Sequence, residues 1–415
     1  MAQRSLFGVT YWPLRKGPML WRAFDRAEVR YEFQQLAALG ATIVRLPIIW
    51  ADIQPRKDRL DGGVMRALEQ TLDAASDAHL RVMPALFVGA ALGGLFFPRW
   101  ATTSDISSDL LLTMRFGPLL RVSAEPRAPI IYDGALHETD LRDLYTEPAM
   151  REAQRYLIGE VLGYFAGHPA VWGWELGSGW EHGRPPASSD AVAEWAGTLI
   201  EQAREIDSDV IMTYGASLRA LTRQKGPRPE HLTQSSAIPS ISLAPPLPVQ
   251  LSAREYPSFV AFVAALVTAL TGRRPIVSGL GLPVDIRGGH GLAVQSEAFG
   301  VPITLPLLDE EEHAVLIADT LEAAARQGAP VALLAHAFDY PESLWSMPPL
   351  AMARAERGMG VLRDDGSERP AVVALRMTPP EPAPQIIEVD PEEYWRNPAL
   401  HLRRLWAEWR DEMEC

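Results

Sequence analysis

Short strand-like apolar runs recur eight times along this 415-residue chain, and amphipathic helical patterns separate most of them. The runs predict strands at residues 6–12, 42–49, 81–88, 170–176, 209–214, 239–244, 275–280 and 330–338. The helical patterns occupy Arg26–Leu39, Val64–His79, Met150–Phe165, Ala191–Ile206, Ser258–Leu270 and Glu310–Arg326. Alternating strands and helices favour a parallel sheet, and eight such units close a barrel. We therefore predict an α/β fold, a single (β/α)8 TIM barrel.

One segment is too long for a minimal barrel. Between the third predicted strand and the helix after it, residues 89–146 form a connection of mixed composition. Active sites of such barrels lie at the carboxyl ends of the strands, where these connections emerge. We therefore expect a long β3–α3 insertion that lies over one rim of the barrel and covers the site.

The C-terminal part of the chain follows a different pattern. Residues 379–384 are rich in proline, as is typical of a stiff extended linker. Beyond them, one helical stripe contains Leu402, Leu405, Trp406, Trp409 and Met413. The prediction is a barrel over 1–378, a linker over 379–396 and an amphipathic helix over 397–415. That helix either packs on its own barrel or binds a protein partner.

The charge balance excludes several classes of function. The chain has 39 basic and 52 acidic residues, a net charge of −13, so it lacks the basic footprint of a nucleic-acid binder. Its one cysteine is Cys415, which permits no internal disulfide, and no apolar run is long enough to predict insertion in a membrane. We expect a cytoplasmic protein.

Several motifs at the predicted strand ends together resemble clan A glycoside hydrolases of the cellulase and mannanase type, family 5 in particular. The resemblance runs from about residue 6 to residue 378. Its motifs are Val44–Trp50, Phe97–Trp100, His168–Gly177, Arg274–Val277, Gly281–Pro283, Leu333–Tyr340 and Gly358–Ser367. The resemblance implies carbohydrate metabolism by retaining hydrolysis, in which one carboxyl group acts as acid/base and a second as nucleophile.

Both positions that should carry these carboxyl groups are glycine. At the fourth strand the family's asparagine and acid/base glutamate are matched by Ser178 and Gly179. At the seventh strand the nucleophile position is Gly279. The tryptophan that forms the floor of the family's sugar site is matched by Ala335, and the sixth-strand motif of the family is absent. Because removing one member of a catalytic unit abolishes most of its rate advantage, the departures imply an inactive pseudoenzyme.

Two other carboxylates are candidates for a relocated catalytic pair. Glu181 lies two residues beyond the vacant acid/base position, and Asp285 lies just past the seventh strand. The alternative for each of them is an ordinary charged side chain on a solvated loop. Arg45 is the clearest surviving polar residue of the site, and it either binds a ligand group or forms a structural salt bridge, since a buried arginine needs an anion. Glu175 is expected to have a structural hydrogen-bonding role.

Aromatic side chains at predicted strand ends are candidates for stacking on a sugar, or for packing in the core. They are Trp12, Trp50, Trp100, Trp180 and Trp345. His182 and His336 have no spacing that supports a metal site, and Gly288–Gly291 are interpreted as a turn, so we expect neither metal nor cofactor. The leading hypothesis is an inactive barrel that serves in binding, scaffolding or complex assembly, with a protein partner at its rim or C-terminal helix and possible binding of a saccharide. The alternatives are an active hydrolase with relocated carboxylates and a non-catalytic carbohydrate binder.

Overall fold

A computed structural model describes residues 5–103, 129–234, 237–286 and 293–414. Eight parallel strands close a barrel, which confirms the predicted fold. They are β1 (Leu6–Thr10), β2 (Ile43–Ile49), β3 (Arg81–Val88), β8 (Trp174–Ser178), β9 (Met212–Ser217), β10 (Ile238–Ser242), β11 (Ile276–Leu280) and β14 (Val331–Leu334). Around the barrel the strands follow chain order, each beside the next.

The barrel strands are largely apolar because helices cover the outside of the barrel and side chains fill its interior. All seven residues of β2 are buried, as are seven of the eight residues of β3. The sixth barrel strand, β10, ends at Ser242, short of the prediction. Pro245 and Pro246 follow it, and proline has no backbone N–H to donate to a neighbouring strand.

The described helices of the barrel are α1 (Arg26–Ala38), α2 (Trp50–Ile53), α3 (Gly62–Asp77), α4 (Pro148–Phe165), α5 (Ser189–Ile206), α6 (Pro229–Gln234), α7 (Tyr256–Thr271) and α8 (Glu310–Arg326). Four of them, α1, α3, α5 and α8, begin after a residue whose side chain accepts from free backbone N–H groups. Asp25 accepts from two backbone N–H groups at the start of α1, and Asp309 forms a capping box with Glu312 at the start of α8. None of the described helices has the length and apolar character that crossing a bilayer requires.

Two structured excursions rise from the carboxyl ends of the strands. The described part of the predicted insertion forms a four-stranded sheet, and residues 104–128 lie outside the described ranges. Its strands are β4 (Ala90–Ala91), β5 (Gly94–Phe96), β6 (Pro129–Tyr132) and β7 (Ala135–Glu138). The second excursion, which the sequence did not predict, is a hairpin of β12 (Ala293–Ala298) and β13 (Val301–Pro306). The turn interpreted at Gly288–Gly291 also lies outside the described residues. Short strands β15 (His336–Phe338) and β16 (Gly360–Leu362) close the fold near β14.

The C-terminal tail packs on the barrel. Within the predicted linker, Pro391–Arg396 form helix α9, and Pro398–Glu414 form α10. The ring of Trp406 lies 5.2 Å from that of Phe259 and 5.5 Å from that of Phe262, both on α7. Leu402, Leu405 and Trp409 are buried as well, and the side chain of Met413 lies outside the described set. The apolar stripe of this helix is therefore covered by the chain's own barrel, while the domain boundary at residue 378 stays a prediction.

Because Trp406 fills a space between aromatic rings, replacing it should leave a cavity. We expect Trp406→Ala to lower the free energy of unfolding by about 3–5 kcal/mol. Arg404→Ala is the matched control, since this exposed side chain on the same helix should change stability by less than about 0.5 kcal/mol. Urea unfolding of the two variants measures the difference. Equal losses would show that the helix does not depend on this packing.

Candidate functional site

A small cavity lies at the carboxyl ends of the barrel strands, where this fold places its sites. Its volume is about 80 Å³, well below the roughly 300–1,000 Å³ of ordinary ligand pockets. Five hydroxyl side chains from five different strands line it: Thr10, Ser178, Ser217, Ser242 and Ser278. The end of the barrel is therefore polar without being strongly charged.

Arg45 and Glu175 form a buried ion pair at the base of this cavity. Nε and one terminal nitrogen of Arg45 donate to the two carboxylate oxygens of Glu175, at 2.7 and 2.6 Å. The same terminal nitrogen donates to Ser178 Oγ at 3.1 Å. Of the two interpretations of Arg45, the structure contains the salt bridge, and Glu175 supplies its anion. Arg45 still lines the cavity, but its charge is compensated from within the barrel.

The backbone at Gly179 leaves no room for a side chain. Its φ of +67° is in the left-handed region, which side-chain-bearing residues rarely adopt. A Cβ atom at this position would lie 2.3 Å from Cβ of Ala90, in the insertion. The first strand of the insertion therefore occupies the space that a residue at the acid/base position would need.

Gly279 is enclosed in the same way on the other side of the cavity. Its φ is also +67°, and an added Cβ would lie 2.8 Å from both the backbone nitrogen of Ala244 and Oγ of Ser242. At both vacant positions the surrounding chain has closed in on a glycine. A glutamate at either position would require the backbone to move.

The relocated candidates lie outside the cavity wall. Glu181 is 2% exposed, and its Oε1 accepts from the backbone N–H and the hydroxyl of Ser217 at 2.9 and 2.6 Å. Asp285 is half-buried beyond β11, where its backbone N–H donates to the carbonyl of Leu308. Neither residue lines the cavity, so the structure does not bring the two together there.

The sequence did not identify the carboxylate that does face the cavity. Among the described lining residues this is Glu356, whose Oε2 lies 2.6 Å from Nε2 of His336. Nδ1 of His336 lies 3.4 Å from the hydroxyl of Tyr340. Glu356 belongs to a short 3-10 helix, Arg354–Gly358, rather than to a strand end. Its position is set by tertiary packing alone, and no motif in the sequence marks it.

His182 also lines the cavity and is uncharged. Burial, with a smaller contribution from Arg219 and Arg223, lowers its pKa to about 3. Its Nδ1 is buried without a hydrogen-bond partner among the described residues, and its ring lies 4.1 Å from that of Phe299. Within the described ranges, no three His, Cys, Asp or Glu side chains are grouped so as to hold a metal ion.

The five candidate tryptophans lie in three different environments. Trp12 lines the cavity, whereas Trp50 and Trp180 stack on each other at 5.3 Å and are fully buried. Trp100 lies edge-on to Trp50 at 5.1 Å, and its Nε1 donates to a backbone carbonyl. Trp345 lies away from the cavity beneath the guanidinium of an arginine. Core packing therefore occupies the rings of Trp50, Trp100 and Trp180.

No protein-family profile matches the chain, and no curated protein sequence matches it. Its fold, by contrast, is similar to solved structures. A GH5_18 protein of Streptomyces cattleya in complex with GlcNAc has a TM-score of 0.71 at 18% identity, covering 96% of this chain and 88% of that one. A variant of GH5_18 from the same organism, in complex with Manβ1-4GlcNAc, has a TM-score of 0.69 at 19% identity, covering 91% and 82%.

A third similar structure is the exo-β-1,4-mannosidase of Opitutaceae bacterium strain TAV5. Its TM-score is 0.66 at 20% identity, and the match covers 90% of this chain and 59% of that one. At these identities the similarity establishes a shared fold only. That fold is the (β/α)8 barrel that the sequence predicted.

The enclosure of Gly179 can be tested against a second glycine with the same backbone conformation. Gly272 has a φ of +68°, but an added Cβ there meets no atom within 4 Å. We expect Gly272→Ala to cost about 1–2 kcal/mol from the left-handed backbone alone. Gly179→Ala should cost about 1–3 kcal/mol more, because the methyl group also collides with Ala90. Chemical denaturation compares the two, and similar losses would refute the enclosure.

The ion pair of Arg45 and Glu175 is expected to show strong coupling. Arg45→Met and Glu175→Gln should each lower the free energy of unfolding by about 3–5 kcal/mol, since each leaves a buried polar partner unpaired. The double variant should lose less than the sum by roughly 1–3 kcal/mol. A double-mutant cycle from urea unfolding measures this coupling. Additive losses would mean that the two side chains do not depend on each other.

Proposed function

We propose that this chain is a glycoside-hydrolase-like barrel without hydrolytic activity, which acts in binding, scaffolding or complex assembly. One observation carries the proposal: both positions for catalytic carboxylates are glycines whose surroundings leave no space for a side chain. A site that had lost its acids by recent substitution alone would still have room for them. Here the neighbouring chain fills that room.

The chemistry of retaining hydrolysis supports this proposal. The double displacement needs two carboxyl groups about 5–5.5 Å apart, one to transfer protons and one to attack the sugar. Glu356 faces the cavity as a single carboxylate held by His336, and Glu181 is held by Ser217. Glycine provides neither a proton nor a nucleophile at the two vacant positions.

A non-catalytic role in carbohydrate binding is the second candidate. The structurally similar GH5_18 proteins of Streptomyces cattleya are complexes with GlcNAc and Manβ1-4GlcNAc. Hydroxyl groups and the ring of Trp12 line the corresponding end of this barrel, and aromatic rings with a few polar groups are typical of ligand sites. These features support a saccharide as the class of small molecule that the site would accept.

A protein partner is the other part of the proposal. Because the apolar stripe of α10 is covered by α7, the rim of the barrel, with its two excursions, is the better candidate surface. Purifying the native protein from its source and identifying what accompanies it tests the scaffold role. Isolation as a lone monomer that binds sugar would favour the carbohydrate binder instead.

We also propose a cytoplasmic location, which the absence of any internal cysteine pair supports.

Direct assays of turnover test the loss of hydrolysis. We expect no hydrolysis of an aryl β-mannoside, an aryl β-glucoside or Manβ1-4GlcNAc above the rate in buffer. Glu181→Gln and Asp285→Asn should leave that background unchanged, because neither side chain faces the cavity. Turnover that disappears in either variant would instead establish an active hydrolase with a relocated carboxylate.

A further inference from the structure

Three hairpins above the barrel have two-residue turns in which both residues have positive φ. The turns are Leu92-Gly93, Asp133-Gly134 and Phe299-Gly300, with first-residue φ values of 52°, 51° and 53°. This is the geometry of the type I′ turn, whose twist matches that of the paired strands. Its first position favours asparagine, aspartate or glycine, because these tolerate the left-handed region best.

Only one of the three turns follows this preference. Asp133 fits the turn and is exposed to solvent. Leu92 and Phe299 are large apolar residues in a conformation that such residues rarely adopt, and both line the strand-end cavity. The residue preferences of the turn therefore do not account for Leu92 and Phe299. Their position over the cavity does. Residues held in unfavourable backbone conformations often mark lids and ligand clamps.

The two atypical turns also contact each other. The backbone N–H of Phe299 donates to the carbonyl of Gly93 at 2.6 Å, and the ring of Phe299 lies against that of His182. The approach is close, since a Cβ atom on Gly93 would lie 2.7 Å from Cβ of Ala353 and 3.2 Å from the carbonyl of Glu297. The first strand pair of the insertion and the second excursion thus meet directly above the cavity.

The cavity is small relative to a sugar. The cavity measures about 80 Å³, whereas an engineered protein cavity of about 150 Å³ accommodates a single benzene molecule. A pyranose ring with its hydroxyl groups is larger than benzene. With the two turns in contact, the space beneath them is smaller than a sugar residue needs.

We propose that Leu92 and Phe299 form a latch that closes the strand-end cavity and must separate before a ligand of sugar size enters. This inference deepens the binding role proposed above and rests on it. The ligand class follows from the charges that face the cavity. Arg45 is paired with Glu175, and Glu356 is hydrogen-bonded to His336. The open site would therefore present hydroxyl groups, together with charged side chains that already have partners, to a hydroxylated molecule.

Chemical modification of His182 measures the opening of this latch. Diethyl pyrocarbonate reacts with the neutral imidazole, the form that the lowered pKa of His182 maintains. Replacing both latch residues by asparagine removes the bulk and suits the turn geometry, so the hairpins should remain folded. We expect Leu92→Asn/Phe299→Asn to raise the modification rate of His182 about tenfold, which corresponds to a shift of about 1.4 kcal/mol in the opening equilibrium.

Peptide mapping by mass spectrometry supplies two controls in the same experiment. His313 is also buried, with a pKa of about 3 and ring nitrogens that have no hydrogen-bond partner among the described residues, but it lies on α8 away from the cavity. The rate at which His313 is modified should stay unchanged in the double variant. A higher rate at His313 would reveal general unfolding. Asp133→Asn, a matched change in the third turn, should change the modification rate of neither His182 nor His313. If the double variant unfolds, Leu92→Asn and Phe299→Asn are compared singly in the same way.

The outcomes separate the latch from the proposed function. Equal modification rates of His182 in the native protein and in the folded variants would overturn the latch, whatever the protein binds. A selective rise at His182 supports it. Titration of the open variant with Manβ1-4GlcNAc then compares its affinity with that of the native protein, and we expect an increase of about tenfold from the same change in opening. Hydrolysis of this sugar by the open variant would refute the loss of activity while leaving the latch intact.

Discussion

The buried ion pair between Arg45 and Glu175 is the interaction on which the cavity end of this barrel depends. It joins β2 to β8 across the intervening strand β3. An arginine in this position is stable only with an anion beside it, because removing an unpaired charge from water is strongly unfavourable. Here the anion comes from the barrel wall. The arginine motif can thus persist in a protein whose nucleophile position is glycine.

The other changes at the site are consistent with that compensation. Small residues lie at the positions that the resemblance assigns to catalytic and sugar-binding groups, and neighbouring segments occupy the space around Gly179 and Gly279. Ala90 approaches Gly179, and Ser242 and Ala244 approach Gly279. The result is a small polar cavity lined by hydroxyl groups. A fold does not determine a function, and the loss of hydrolysis that we propose would leave this barrel intact.

The sequence predicted the barrel well because strands buried on both faces appear as continuous apolar runs. It did not predict the hairpin of β12 and β13, whose turn, Phe299-Gly300, lacks the Asn-Gly or Asp-Gly signal. It also missed Glu356, which reaches the cavity from a 3-10 helix through tertiary packing. The vacant positions of Gly179 and Gly279 were visible in the motifs, but their steric closure depends on segments distant in sequence.

We infer that no nucleophilic carboxylate remains at the strand ends. Incubation with 2-deoxy-2-fluoro glycosyl fluorides, which trap the covalent intermediate of retaining enzymes, tests this claim directly by intact-protein mass spectrometry. The account predicts no adduct with the mannosyl or glucosyl reagent, both in the native protein and in the Leu92→Asn/Phe299→Asn variant, whose cavity should be open to it. A stoichiometric adduct that maps to a carboxylate such as Glu181, Asp285 or Glu356 would contradict it.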